Sequence, residues 1–360
     1  MRASGEDILG QLLLLRVDEP RWNASFERGL RASLPGGILL APPLPHTPES
    51  VGEFLGKVAG ALPVLPFLAL EEEGGVRDPL RAFFPPLPSP QAAAERGPAV
   101  VARLGELAGE GLKLLGFNTN LAPVLDLAAP RSERMLWTRA FSSDAQQVAR
   151  CGAAFVRGLR RHKVLACAKH FPGLGSTPSQ GQSHVPVIGK SMAELWCEDL
   201  VPFRELLPNL PLLMVSAAAY KAYDFDYPRP AALSAQVSEG LLRIKLGYDG
   251  VAVAPELASE AVRGNRDVGE AAVQAVRAGC DLLVVGCEKS CEVIRQALKA
   301  GLESGKLSSA RCAQALGRIR TVRKDLAPPS GKISRRAVDQ LTRRFAELAK
   351  EFRSEELNIG

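Results

Sequence analysis

The sequence predicts an α/β protein built as a (β/α)8 TIM-type barrel, on three observations. Eight short apolar runs recur along the chain, helical patterns lie between most of them, and polar residues gather at their C-terminal ends. Near-continuous apolar strands alternating with helices describe a parallel sheet covered on both faces. Eight such units over about 320 residues match a closed barrel. An open doubly wound sheet is the rival arrangement; it calls for a glycine-rich turn after the first strand, and the sequence has none there.

In order, the runs are LLLLRVD (12–18), GGILLA (36–41), PVLPFLAL (63–70), FNTNLAPVLDL (117–127), VLACAKHF (164–171), LPLLMVSA (210–217), GVAVAPEL (250–257) and CDLLVVGC (280–287). Their ends carry Glu71-Glu72-Glu73-Gly74-Gly75, Asp126, Lys169-His170, Ser216-Ala217, Pro255-Glu256 and Cys287-Glu288. A barrel collects its chemistry at that face. Covering helices over 292–325 complete a barrel expected to span 1–325. Pro328 and Pro329 then mark a break, so that 326–360 forms a separate tail. Its stripe of Ala337, Val338, Leu341, Phe345, Leu348 and Phe352 has helical spacing and predicts an amphipathic helix. That helix is expected to pack on the barrel or on a partner subunit. Asp339, Glu347, Glu351, Glu355 and Glu356 dilute the basic face that a membrane-surface helix needs.

A chain of 360 residues, 46% hydrophobic, can bury a large core. The net charge of +6 is mild for this length, and aromatics make up only 6%. No basic face interleaved with aromatics is visible, which argues against a nucleic-acid partner. Seven cysteines, an odd number without a framework, point to a reducing compartment. Cys287 and Cys291 stand four apart with no second Cys/His pair nearby, so no metal site is expected. No segment reaches about 18 apolar residues, the length a membrane span needs. The run Gln11–Leu15 is too short for a signal-peptide core and follows Glu6 and Asp7. The expectation is a cytoplasmic monomer or homodimer without a cofactor.

Several stretches resemble glycoside hydrolase family 3, in particular the single-domain bacterial β-N-acetylglucosaminidases of cell-wall recycling. LALEEEGG (68–75) is similar to the family's acidic-Gln-Glu-Gly-Gly strand end, and FFPPLPS (83–89) to its Phe-x-x-Leu-Pro-Ser turn. LAPVLDL (121–127) is close to identical, and RAFSSD (139–144) resembles Arg-Ser-Phe-Gly-x-Asp. CAKHFPGLGST (167–177) resembles the signature Lys-His-Phe-Pro-Gly-His-Gly. PAALS (230–234), LLRIKLGYDGV (241–251) and AGCDLL (278–283) follow in the family's order. The resemblance covers roughly residues 5 to 325. It implies a barrel that binds an N-acetylglucosamine-type sugar through Glu71, Arg139, Lys169 and His170. It also implies that His184 is the general acid/base, delivered by the loop after the fifth strand.

The departures from the pattern fall on the chemistry. Retaining hydrolysis needs a carboxylate nucleophile opposite a proton donor. The position of the family's nucleophile is taken by Pro255, which has no nucleophilic side-chain atom. Gln182 replaces the acid that would stabilise the His184 imidazolium. The family's histidine after the sixth strand corresponds to Ala217, and its arginine after Glu-Gly-Gly is displaced or missing, since Gly75 is followed by Val76-Arg77. Glu256 is the alternative nucleophile, although adjacent residues on an extended strand point to opposite faces. The reading is a β-N-acetylhexosaminidase-like protein of amino-sugar metabolism, catalytically impaired at Pro255. The alternatives are a catalytically silent sugar- or partner-binding barrel and an active glycosidase using Glu256. The loop 172–184 has little to bury and is expected to be mobile without ligand.

Overall fold

The computed structural model describes residues 8–128, 136–175, 185–329 and 331–356. All eight apolar runs form strands: β1 (Leu13–Asp18), β2 (Gly37–Ala41), β3 (Phe67–Leu70), β4 (Thr119–Asn120), β5 (Leu165–Phe171), β6 (Leu212–Val215), β7 (Val251–Ala254) and β8 (Leu282–Val285). Each pairs in parallel with its sequence neighbours, and β1 closes the barrel on β8 through Leu13↔Leu283, Leu14↔Val284 and Leu15↔Val285. The strands are short and almost entirely buried, because side chains on one face fill the barrel and those on the other meet the helices.

The helices start where the local chemistry supplies an acceptor for free N–H groups. Asn23 caps Ala24–Ser33, Thr47 makes a capping box ahead of Pro48–Ala61, and Asp144 caps Ala145–Arg161. Pro98–Leu115 and Ala145–Arg161 cross at glycines. A Cβ at Gly105 would stand 2.4 Å from the Phe155 carbonyl oxygen, and one at Gly158 would stand 2.4 Å from the Glu106 nitrogen. Only glycine lets the two backbones approach so closely.

The tail does form a helix, Arg335–Glu356. It lies on the barrel's own helix Pro98–Leu115: Leu341, Phe345 and Leu348 are buried, and the Phe345 ring stacks on Phe84 at 4.8 Å. Arg103 grips Glu351 with two bonds of 2.9 and 2.8 Å, and Arg344 pairs with Glu106 and Glu110. No helix among the described residues is long and apolar enough to cross a membrane.

Candidate active site

Two buried asparagines set the floor of the site. Asn118 accepts from Leu68 N–H and donates to the Pro66 carbonyl, and Asn120 clasps both the N–H and the carbonyl of Glu72. The chain leaving β3 therefore emerges in a fixed direction, with Glu71 and Glu73 on one side and Glu72 on the other. Lys169 meets both outer carboxylates, at 2.6 Å to Glu71 and 2.5 Å to Glu73. Arg139 adds two bonds of 2.7 Å to Glu73 and lies 3.6 Å from Glu71. Two cations balance two carboxylates in a closed cluster. Burial opposes charge on Glu71, but Lys169, Arg139 and Arg77 outweigh it and hold the carboxyl well below its ordinary range.

Glu72 does different work. It is fully buried, accepts from Gly74 and Leu80 N–H, and adjoins Asp78, which in turn accepts from Arg81 and Leu87 N–H. Burial and mutual repulsion push Glu72 up, and burial pushes Asp78 up as well. Each carboxyl takes two backbone N–H groups, and together they tie down the loop after β3.

At β5 the register with β6 shifts between Ala168 and Phe171, so the strand gains one residue at Lys169-His170. Such a bulge re-aims side chains at a barrel rim. Lys169 goes inward to the glutamates, while the His170 Nδ1 lies 2.6 Å from Asp126. Asp126 is completely buried and also accepts from the His170 and Leu174 N–H groups. The contact fixes the ring with Nδ1 on Asp126 and Nε2 directed away from it.

Beside this cluster opens a cleft of about 850 Å³ lined by residues from β1, β2, β6 and β8 and by the loops above them. Glu71, Pro255 and Glu256 all face it, together with Arg16, Arg77, Asp78, Arg81 and Met214. Pro255 and Glu256 both line the cleft from just beyond the end of β7. Glu256 leans toward Gly286: its Oε1 accepts weakly from Ala258 N–H at 3.3 Å, and its Oε2 is buried without a hydrogen-bond partner among the described residues. Burial pushes this carboxyl up.

The structure thus brings Glu71, Arg139 and Lys169 into one ion cluster, sets His170 on Asp126, and places Pro255 and Glu256 across the cleft from Glu71 at the same rim. His184, Gln182 and most of the loop 172–184 lie outside the described residues. Glu73, Arg16 and Arg81 were not singled out from sequence. The EEE run held a signal for Glu73, since alternation puts residues 71 and 73 on one face. No group of side chains among the described residues could hold a metal ion.

The model of the glycosyl hydrolase family 3 N terminal domain matches residues 9–322. The chain belongs to that family. A family 3 β-hexosaminidase-like protein is the coarse description that follows. The β-hexosaminidase of Pseudomonas aeruginosa is 33% identical over 293 residues, covering 80% of this chain and 86% of its own length. A family 3 β-N-acetylglucosaminidase from Paenibacillus has TM-score 0.86 at 28% identity, over 96% of this chain and 69% of that one. LpqI of Mycobacterium tuberculosis has TM-score 0.81 at 26% identity, over 91% of this chain and 95% of that one.

Proposed function

We propose that this family 3 barrel binds an N-acetylglucosamine-type glycoside without hydrolysing it by the covalent route. One observation carries the reading: Pro255 occupies the cleft wall at the nucleophile position, and the neighbouring carboxyl of Glu256 is turned toward Gly286. Burial also pushes this carboxyl up, which disfavours the carboxylate form that a nucleophile needs. Glu71, charged and 35% exposed at its side chain, offers an acceptor for sugar hydroxyls. The Nε2 of His170, turned away from Asp126, offers a second polar atom. The absence of nucleic-acid and membrane partners and a cytoplasmic location belong to the same reading; all seven thiols being free supports a reducing compartment.

The test pairs binding with turnover. Wild-type protein should bind N-acetylglucosamine in calorimetry yet release no chromophore from a nitrophenyl N-acetylglucosaminide above a buffer blank. Pro255→Asp with Gln182→Asp should restore measurable hydrolysis, because nucleophile and proton donor act as a unit. A second reading rests on the buried Oε2 of Glu256 at the cleft wall, which has no hydrogen-bond partner among the described residues. Turnover by wild type that Glu256→Gln abolishes would make Glu256 catalytic and overturn the silent reading.

A further inference from the structure

A second pocket opens at the other end of the barrel, where the strands begin. It has a volume of about 490 Å³ and is lined by Leu210, just before β6, and by Tyr248, Asp249 and Gly250, just before β7. Arg204 and Lys245 line it as well, and both are seated on one indole. The Arg204 Cζ lies 4.3 Å and the Lys245 Nζ 4.4 Å from the ring centroid of Trp196. Neither cation has a carboxylate at ion-pair distance among the described residues, and Asp249 is the acidic side chain of the pocket. Two like charges gathered at one ring repel each other, and an anion placed between them turns that repulsion into attraction.

The structure behind the pocket adds to the positive charge. Arg243 donates to the carbonyls of Tyr248 and Gly250, so the pocket wall rests on its guanidinium. Arg243 shares a single carboxylate, Asp281, with Arg311 and Arg318. Three guanidiniums on one acid leave an excess of positive charge, and with Arg243 8% exposed and Asp281 fully buried, water screens it poorly. The backbone contributes a donor too. The peptide after Tyr248 is trans, so the Asp249 N–H points opposite to the Tyr248 carbonyl and away from Arg243, and no described residue accepts from it. The helix that delivers Lys245, Gln236–Lys245, is wound wide at this end: the Leu246 N–H donates to the Leu241 carbonyl, five residues back. Helix turns of that type recur at functional sites.

We propose that this pocket binds a phosphate group, free or as the monoester of a small molecule, between Arg204 and Lys245. A phosphate dianion engages both cations at once, and the arginine fork matches two of its oxygens. The Asp249 carboxylate opposes any anion, which favours a doubly charged one over a monoanion such as a carboxylate. Because Trp196 already holds both side chains, little ordering remains to be done when the ligand arrives. The site is at the opposite end of the barrel from the cleft, so the inference is independent of the sugar-binding reading.

Calorimetry and tryptophan fluorescence on the full chain test this at about pH 8, where phosphate monoesters are dianions. The probes are inorganic phosphate, phenyl phosphate and acetate at matched ionic strength. One of the two phosphates should bind saturably and at least ten-fold tighter than acetate. Binding should change the indole emission, and Trp196→Phe should remove that change. Arg204→Gln with Lys245→Gln should weaken binding ten-fold or more, with circular dichroism showing that the variant is folded. Asp249→Asn should strengthen binding, a gain that damage to the fold would not produce. Tighter binding of phenyl phosphate names an ester as the ligand and equal binding names free phosphate; either supports the site. Acetate binding as tightly as phosphate, or no saturable binding by any probe, overturns the inference. So does an affinity that survives in the double variant or is indifferent to Asp249→Asn, since the anion then sits elsewhere.

Discussion

Lys169 is the side chain on which the site's electrostatics turn. It is 1% exposed and neutralises two carboxylates, one of them equally buried. Lys169→Met should therefore cost on the order of 3–5 kcal/mol in urea unfolding, the usual penalty for stranding a buried charge. The pH dependence gives the sign. Glu71 is held below its ordinary value, so its contribution is complete above about pH 4.3 and is lost as pH falls below that. Wild-type stability should decline on acidification from about pH 5, and the decline should be shallower in Lys169→Met. An acid limb equally steep in both proteins would remove Glu71 from the account. Sequence and resemblance together picked out Glu71, Arg139, Lys169, His170 and Pro255. They did not show that Lys169 is spent on two glutamates, because the partners come from β3 and β5, and only a closed barrel sets those strand ends side by side.

Among the elements, the crossing of Pro98–Leu115 with Ala145–Arg161 is the tightest packing argument. Gly158→Ala would drive a methyl to 2.4 Å from the Glu106 nitrogen and 2.6 Å from the Gly105 carbonyl carbon. A cost of roughly 1–3 kcal/mol is expected, since both obstacles are backbone and must move apart together. Gly56 makes the control: it is exposed within Pro48–Ala61, and a Cβ there meets nothing within 4 Å. Gly56→Ala should instead stabilise by about 0.5–1 kcal/mol, the ordinary helix-propensity gain. Denaturant midpoints moving the same way for both variants would refute the distinction. The existence of strands and helices was legible from periodicity, and so was the tail helix after Pro328-Pro329. Its seat was not, because an apolar stripe says that a face will be covered and leaves open by what.

For the whole molecule, one continuous apolar cluster runs from Leu9 to Leu348, through barrel interior, covering helices and tail. Shared burial of this kind predicts a single cooperative transition: urea curves followed by fluorescence and by far-ultraviolet circular dichroism should superimpose. A separate early transition for the tail helix would show that it is an appendage and not part of the core. The barrel's closure was readable because eight apolar runs admit few other parallel arrangements. The cleft's charge was less so: it depends on which arginines find carboxylates in three dimensions, and net composition averages that away.

The seating of the tail helix also sets a schedule for the chain as it is made. Arg344 pairs with Glu110 across 234 positions of sequence. At about 5–20 residues per second, the face of Pro98–Leu115 waits roughly 10–50 s on the ribosome before its cover exists. During that interval Phe84 has no Phe345 to stack on, and an apolar seam faces solvent or any chaperone within reach. The same ion pairs that fasten the finished helix, Arg103 to Glu351 and Arg344 to Glu106, leave that seam bordered by Arg103, Glu106 and Glu110 in the meantime. A seam fenced by charges of both signs is a poor landing place for another nascent chain, so the residues that will later fasten the cover guard the seam until it arrives.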